Sequence, residues 1–303
     1  VVKCTDYSAE NVDKTVAQAI DLLELDSDFF SVQGPILLKP NLLSRRAPEK
    51  AVTTHPAVLE AVIRTVRSYA SDAELRIGDS PGGSLKRIES FWEKAGFKDL
   101  SEKTDVQLVS FDDAGSQTFP AHGFKGLDSF SISKAALEPA MIINIPKLKT
   151  HSLTFLTCAM KNLYGLIPGL QKAAIHKALP EQKEFSRFIA FLNKTVKPAL
   201  HVVDGVVGME GNGPSSGDPK QIGVIIAGTS SVAVDIVAAE IVGIPYAKVN
   251  HIAEGAAMGL GPSSIDEIDI KGDPIQQVKP AQFKLPSTYY IKKLLSGIFI
   301  RLF

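Results

Sequence analysis

Cysteine is scarce in this chain: Cys4 and Cys158 are the two among 303 residues. Two cysteines cannot build a disulfide scaffold or ligate an iron–sulfur cluster unaided. Such usage suits a reducing compartment, and a cytoplasmic protein is expected. Long hydrophobic runs are lacking too, and none reaches the roughly 18 residues of a membrane span. Nor is there an excess of charge of one sign. Lys+Arg and Asp+Glu number 33 each, so the broad basic surface of a nonspecific nucleic-acid binder is missing. A neutral total still leaves room for a local basic pocket. Familiar catalytic signatures are absent as well: no Gly-x-Ser-x-Gly elbow, His-Glu-x-x-His helix or Cys-x-x-Cys pair occurs. The chain starts at Val1 with neither methionine nor a signal-type segment, as a trimmed or processed chain would.

What is present suits a globular protein. At 45% hydrophobic and 22% charged residues, the chain is rich enough in apolar side chains to bury a core. Ser8 is a plausible cap for a helix with Val12, Val16, Ile20 and Leu23 at helical spacing. PILLKP at 35–40 is a short strand. Pro56 opens a second helix with an apolar stripe of Val58, Leu59, Val62, Ile63 and Val66. ELRIGD (74–79), residues 106–111, MIINIP (141–146), LHVVD (200–204) and IGVIIA (222–227) read as further strands. Residues 85–95, 230–242 and 249–258 read as helices. Apolar strands alternating with amphipathic helices imply an α/β fold with a largely parallel central sheet and helices on both faces. Two lobes with the site between them would suit this pattern. The expected division is one α/β domain over 1–270, then a connecting segment and an amphipathic helix over 271–303. The last stretch, IKKLLSGIFIRLF, would pack on the domain, lead into a further segment or lie on a membrane surface.

In such sheets ligands bind beyond the carboxyl ends of the strands. Polar residues that stop several strands are therefore candidates for one site. Lys39 ends a strand before Pro40 and could hold an anion, with Asn41 orienting a polar group; a solvent-facing lysine and a turn-forming Asn fit equally. In Thr53-Thr54-His55-Pro56 the threonines would cap the helix, and His55 sits where free N–H groups can meet an anion. Asp79-Ser80-Pro81-Gly82-Gly83 lets a ligand approach the backbone closely, although a tight turn explains it as well. It is neither a phosphate-binding Walker loop nor a dinucleotide fingerprint.

The turn IPKLKTH (145–151) follows a buried strand. If it is extended, Lys147, Lys149 and His151 share one face. Three potential cations together are costly unless solvated or paired with an anion. Lys161-Asn162 repeats the Lys/Asn pairing, and Lys172 and His176 are one helical turn apart. Cys158 reads as a buried small residue. In DGVVGMEGNGPSSG (204–217) a strand ends at Asp204 and a Gly-rich loop carries Glu210. Oxygen ligands there could hold a hard divalent cation, and a flexible lid fits as well. Asp235 lies in an apolar helix and needs a buried partner, with a lysine as the candidate.

Taken in order, LLKPN, TTHP, IGDSPGG, NIPKLKTH, MKNLYGLIPG, DGVVGMEGNGP and AVDIVA resemble the family called domain of unknown function 362, over roughly residues 35–245. That resemblance implies association with ferredoxin-type segments carrying four-iron clusters. Such a segment would follow Phe303, and this chain alone ligates none. More faintly the chain resembles lactate-racemase-type α/β proteins, an analogy at the level of fold. The reading that follows is an enzyme acting on a small anionic carboxylate or phosphate. Lys39, Asn41, His55, Asp79, Ser80, Lys147, Lys161, Asn162 and Lys172 would bind substrate. His151, Lys149 and His176 would do the chemistry, and Asp204 and Glu210 would hold a metal. The alternative is a noncatalytic docking partner of a ferredoxin-type iron–sulfur module.

Overall fold

The structure is a computed structural model, and it describes residues 1–82 and 88–289. In chain order the strands are β1 (Val2–Lys3), β2 (Ile36–Pro40), β3 (Leu75–Asp79), β4 (Gln107–Ser110), β5 (Ser116–Pro120), β6 (Ser129–Ser133), β7 (Met141–Ile145), β8 (Lys147–His151), β9 (Phe155–Thr157), β10 (Leu200–Glu210) and β11 (Asp218–Gly228). The helices are α1 (Ala9–Asp21), α2 (Pro56–Tyr69), α3 (Glu89–Ala95), α4 (Phe97–Thr104), α5 (Lys134–Leu137), α6 (Ala159–Asn162), α7 (Gln171–Ala178), α8 (Gln182–Val196), α9 (Ser231–Ile241), α10 (Asn250–Ala257) and α11 (Ile275–Val278).

The main sheet runs β1-β11-β10-β7-β2-β3-β4, with β8 and β9 joined beside β10. Pairings from β4 through β3, β2 and β7 to β10 are parallel, whereas β11 and β1 add an antiparallel edge. This is the α/β class with helices on both faces. Side-chain alternation explains the two cores. Ile36, Leu38, Met141, Ile143, Leu200 and Val202 face the layer of α1 and α2. Leu37, Ile142 and Val203 face the layer of α8, α9 and α10.

Several local readings change. Segment 147–151 is a strand and not a turn. It continues β7 past Pro146, which has no N–H to give a ladder. The run after Asp204 is also strand as far as Glu210, paired with β11. Its glycines serve close packing: a Cβ on Gly208 would lie 2.8 Å from the Leu148 carbonyl oxygen, and one on Gly205 would lie 2.9 Å from that of Val224. The cap of α2 is His55, whose ring nitrogen accepts the Ala57 N–H at 3.2 Å. Thr54 instead ties strands together, accepting from Asn41 N and donating to the Ile145 carbonyl. Within 271–289 the chain is mostly irregular apart from α11. The amphipathic stretch 291–303, with Gly83 and the start of the 85–95 helix, lies outside the described residues.

Candidate functional site

A row of polar side chains crosses the middle of the parallel sheet. Lys39 on β2 is level with Asn144 on β7, which is level with His201 on β10. Each is nearly the last polar residue one would place in an apolar strand, and each is at most 1% exposed. Buried polar groups need partners, and short helix α6 supplies them. The Asn144 amide donates to the Ala159 carbonyl at 2.9 Å and lies 3.0 Å from His201 Nδ1. Asn162 Nδ2 donates to Asn144 Oδ1 and to the carbonyls of Lys39 and Pro40. Asp235 on α9 accepts the N–H groups of Ala159 and Met160 at 2.6 and 3.1 Å. It also lies 3.5 Å from His251 Nε2, so its partners are the amides at the start of α6 and a histidine, and not the lysine expected from the sequence. A carboxylate suits that position because helix-starting N–H groups carry partial positive charge.

Two buried ion pairs flank this row. Lys39 Nζ is 2.9 Å from Asp79 Oδ1, and Asp79 also accepts Leu42 N and Ser80 N. Gly165 makes room for the pair, since a Cβ there would sit 2.1 Å from Asp79 Oδ1. Lys147 Nζ is 2.7 Å from Asp204 Oδ2. Tyr7 accepts from Lys147 and donates to Asp204, and His55 N also donates to Asp204. The His55 ring stacks on Tyr7 with centroids 3.7 Å apart. Burial holds the His55 imidazole down at about 4.

Beyond these pairs, at the carboxyl ends of β2 and β3, lies a cavity of ≈ 320 Å³. Asn41, Asp79, Ser80, Lys149, His151, Lys161, Asn162, Lys172 and His176 all contribute to its wall. These come from β3, β8, α6, α7 and the loops after β2 and β3, so the fold gathers nine of the fourteen sequence candidates. It does not gather His55, Lys147 and Asp204, which form the separate Tyr7 cluster. Lys39 lies beneath the wall in its pair with Asp79. Glu210 is apart from Asp204, accepting the Lys284 N–H at 2.9 Å. Among the described residues no three His, Cys, Asp or Glu side chains are grouped to hold a metal. Cys4 and Cys158 are free thiols buried in different cores. A second cavity of ≈ 260 Å³ lies at the far end of the sheet, where β11 ends. Its lining is largely apolar, and Lys271 there is paired with Glu24.

Electrostatics separate the lysine-lined cavity from the rest of the molecule. Lys149 donates to Asn41 Oδ1 at 2.6 Å and to the Val52 carbonyl at 2.8 Å. Burial, then the neighbouring Lys161 and Lys147, hold its amine well below the usual lysine range. Lys172 binds the carbonyl of Ser80 at 2.7 Å, and burial lowers it to about 8 against the opposing pull of Asp79 and Asp112. Burial lowers Lys161 to about 8 as well. Its Nζ is 5.5 Å from the rings of both Tyr164 and Phe185. His151 Nδ1 accepts the N–H groups of Leu153 and Thr154. Its proton therefore sits on Nε2. Burial, Lys161 and Lys149 keep the ring neutral. His176 stacks on Phe185 and is lowered to about 4, mainly by burial.

Sequence reasoning missed Tyr7, Asp112, Asn144, Thr157, Tyr164 and His201. Asn144 and His201 did carry a signal, a single polar residue inside an apolar strand. Asp112 holds the cavity wall through Ser80 Oγ and Gly169 N. Thr157 Oγ1 and Asn162 Oδ1 are buried at the cavity without a hydrogen-bond partner among the described residues.

Comparison with known proteins agrees with the resemblance read from the motifs. The chain is 30% identical over 268 residues to "Thylakoid-associated protein sll1697" of Synechocystis, covering 88% of this chain and 81% of the relative. The lactate racemase apoprotein of Thermoanaerobacterium thermosaccharolyticum is similar in structure with a TM-score of 0.44 and 13% identity. That match covers 75% of this chain and 54% of the racemase chain. Residues 36–240 match Domain of unknown function (DUF362), and the chain belongs to that family.

Proposed function

We propose that the lysine-lined cavity is the active site of an enzyme whose substrate is a small carboxylate or phosphate. One observation carries the reading: Lys149, Lys161 and Lys172 converge on a single cavity whose carboxylate, Asp79, is already neutralised by Lys39. Burying that much positive charge is costly unless an anion offsets it. A neutral His151 with its proton on Nε2 can donate a hydrogen bond to the substrate, as an uncharged electrophile. The imidazoles of His151 and His176 are too weakly basic to take up a second proton at neutral pH. Lysine amines lowered to about 8 are better matched to that task.

The alternative is a surface that docks an acidic ferredoxin-type module. It calls for lysines fanned across an exposed face. Lys39, Lys147 and Lys149 are instead fully buried, which favours a small ligand. Calorimetric titration with phosphate, sulfate, acetate and glyoxylate at pH 7 tests the reading. Binding of at least one of them, weakened tenfold or more in Lys172→Met, is expected. Absence of binding to all four at millimolar concentration sinks it.

A further inference from the structure

The lysines at the centre of the molecule differ in what holds their amines. Lys39 and Lys147 are locked to carboxylates. Lys149 is spent on Asn41 and the Val52 carbonyl, and its side chain is fully buried. Lys172 binds the carbonyls of Ser80 and Pro81. Lys161 alone in this group has no hydrogen-bond acceptor or carboxylate partner among the described residues. The residue is also only partly buried and lines the cavity. Two aromatic rings flank it and keep water sparse on that side. At the same cavity Thr157 Oγ1 and Asn162 Oδ1 are buried and unsatisfied among the described residues. An acceptor and a hydroxyl left without protein partners, beside an unengaged amine, mark a place where a ligand hydroxyl or water completes the bonding.

We propose that Lys161 is a nucleophile that forms an imine with an aldehyde or ketone bearing a carboxylate or phosphate, the anionic end resting on Lys172. The idea rests on the anion-binding reading above and names the substrate class within it. In the first step the neutral amine attacks the carbonyl carbon. A C–N bond forms, the C=O π pair moves to oxygen, and a proton passes from nitrogen to that oxygen to give a carbinolamine. In the second step the hydroxyl leaves as water, nitrogen loses its remaining proton to it, and C=N forms. Amine and carbonyl become imine and one water, and no oxidant or reductant is needed. Asn162 Oδ1 can accept from the carbinolamine hydroxyl and Thr157 Oγ1 can bond the departing water. A lysine beside other cations and away from carboxylates is the usual setting for this chemistry. With its amine lowered to about 8, Lys161 holds roughly two-hundredfold more neutral amine at pH 7 than an ordinary surface lysine.

Reductive trapping tests the proposal on the intact protein. Glyoxylate or propanal is added with sodium cyanoborohydride at pH 7, and the modified lysines are mapped by peptide mass spectrometry. The expected result is modification at Lys161 at least tenfold faster than at surface lysines, with a rate that levels off above pH 8. Glyoxylate should outpace propanal, and inorganic phosphate should protect. Lys161→Arg should lose the trapped site, and Lys161→Met serves as a second variant if the larger guanidinium disturbs folding. Phosphate binding with no preference for Lys161 in trapping overturns the nucleophile and leaves the anion site standing. Selective trapping at Lys161 at equal rates by both probes, with no phosphate binding, overturns the anion reading and leaves the nucleophile.

Discussion

Five lysines and three histidines of similar sequence appearance behave differently because their nearest neighbours differ. Lys147 faces Asp204 at 2.7 Å with both side chains fully buried. Lys147→Ala leaves that carboxylate unpaired in the interior and should cost about 3–5 kcal/mol in denaturant unfolding. Lys161→Met removes a partly buried cation with no carboxylate partner among the described residues and should leave the free protein at least as stable as wild type while weakening phosphate binding without abolishing it. A stability loss in Lys161→Met matching that of Lys147→Ala would show a hidden partner. The pH dependence follows from the same groups. Lys161 and Lys172 are lowered to about 8 when folded, against roughly 10.4 in an unfolded chain. Between those limits the unfolded chain binds more protons, so this contribution makes the free protein more stable as pH rises. The stability advantage of Lys161→Met should accordingly shrink from pH 8 to pH 10. Phosphate needs the protonated amines, so its affinity should fall above pH 8, by about tenfold per pH unit for each proton required. An affinity flat from pH 7 to 10 would place the anion elsewhere.

Among the elements, α6 matters most although it spans just Ala159–Asn162. A helix this short has no stability of its own. It is held by Asp235 at its start, by Asn144 and Asn193 on its carbonyls, and by the reach of Asn162 to β2. These bonds aim Lys161. Asp235→Ala should cost about 1–3 kcal/mol by leaving buried N–H groups unsatisfied. It should also speed amide hydrogen exchange at 159–163 and weaken phosphate binding. Exchange that rises there while binding stays intact would separate the cap from the site.

At the scale of the whole molecule, the cavity sits where a parallel sheet concentrates its function, beyond the carboxyl ends of β2 and β3 and beside β8. Overall charge is zero, so the positive potential there is a local product of the fold. An anion bound to the folded state alone stabilises it by mass action. At one hundred times its dissociation constant phosphate should add about 2.7 kcal/mol, a rise in Tm of several degrees. Scanning calorimetry of wild type and Lys172→Met checks this, and equal shifts in the two would point to nonspecific salt effects.

The amino-acid pattern by itself determined the class of fold. Apolar runs at β2, β3, β7 and β10 are too continuous for strands with a wet face, so a parallel sheet covered on both sides follows from burial alone. It also marked nine residues that line the cavity, since a charged or amide residue ending an apolar strand has little reason to be there unless it is used. It left open which lysine pairs with which carboxylate. Lys147 and Lys149 share one strand and one spacing, yet Asp204 meets the first and Asn41 the second, because β10 and the loop after β2 lie on different sides of β8. Asn144 and His201 could be seen as anomalies but not as neighbours, since their contact depends on the register between β7 and β10. Segment 147–151 reads as a turn from the sequence; its continuation as a strand depends on β9 and β10 supplying new partners. Tertiary structure alone decided that Lys161 meets two aromatic rings and no carboxylate among the described residues. Pairing across 57 to 149 residues of chain, as Asp204 shows with Lys147 and His55, is set by packing and leaves no trace in local spacing.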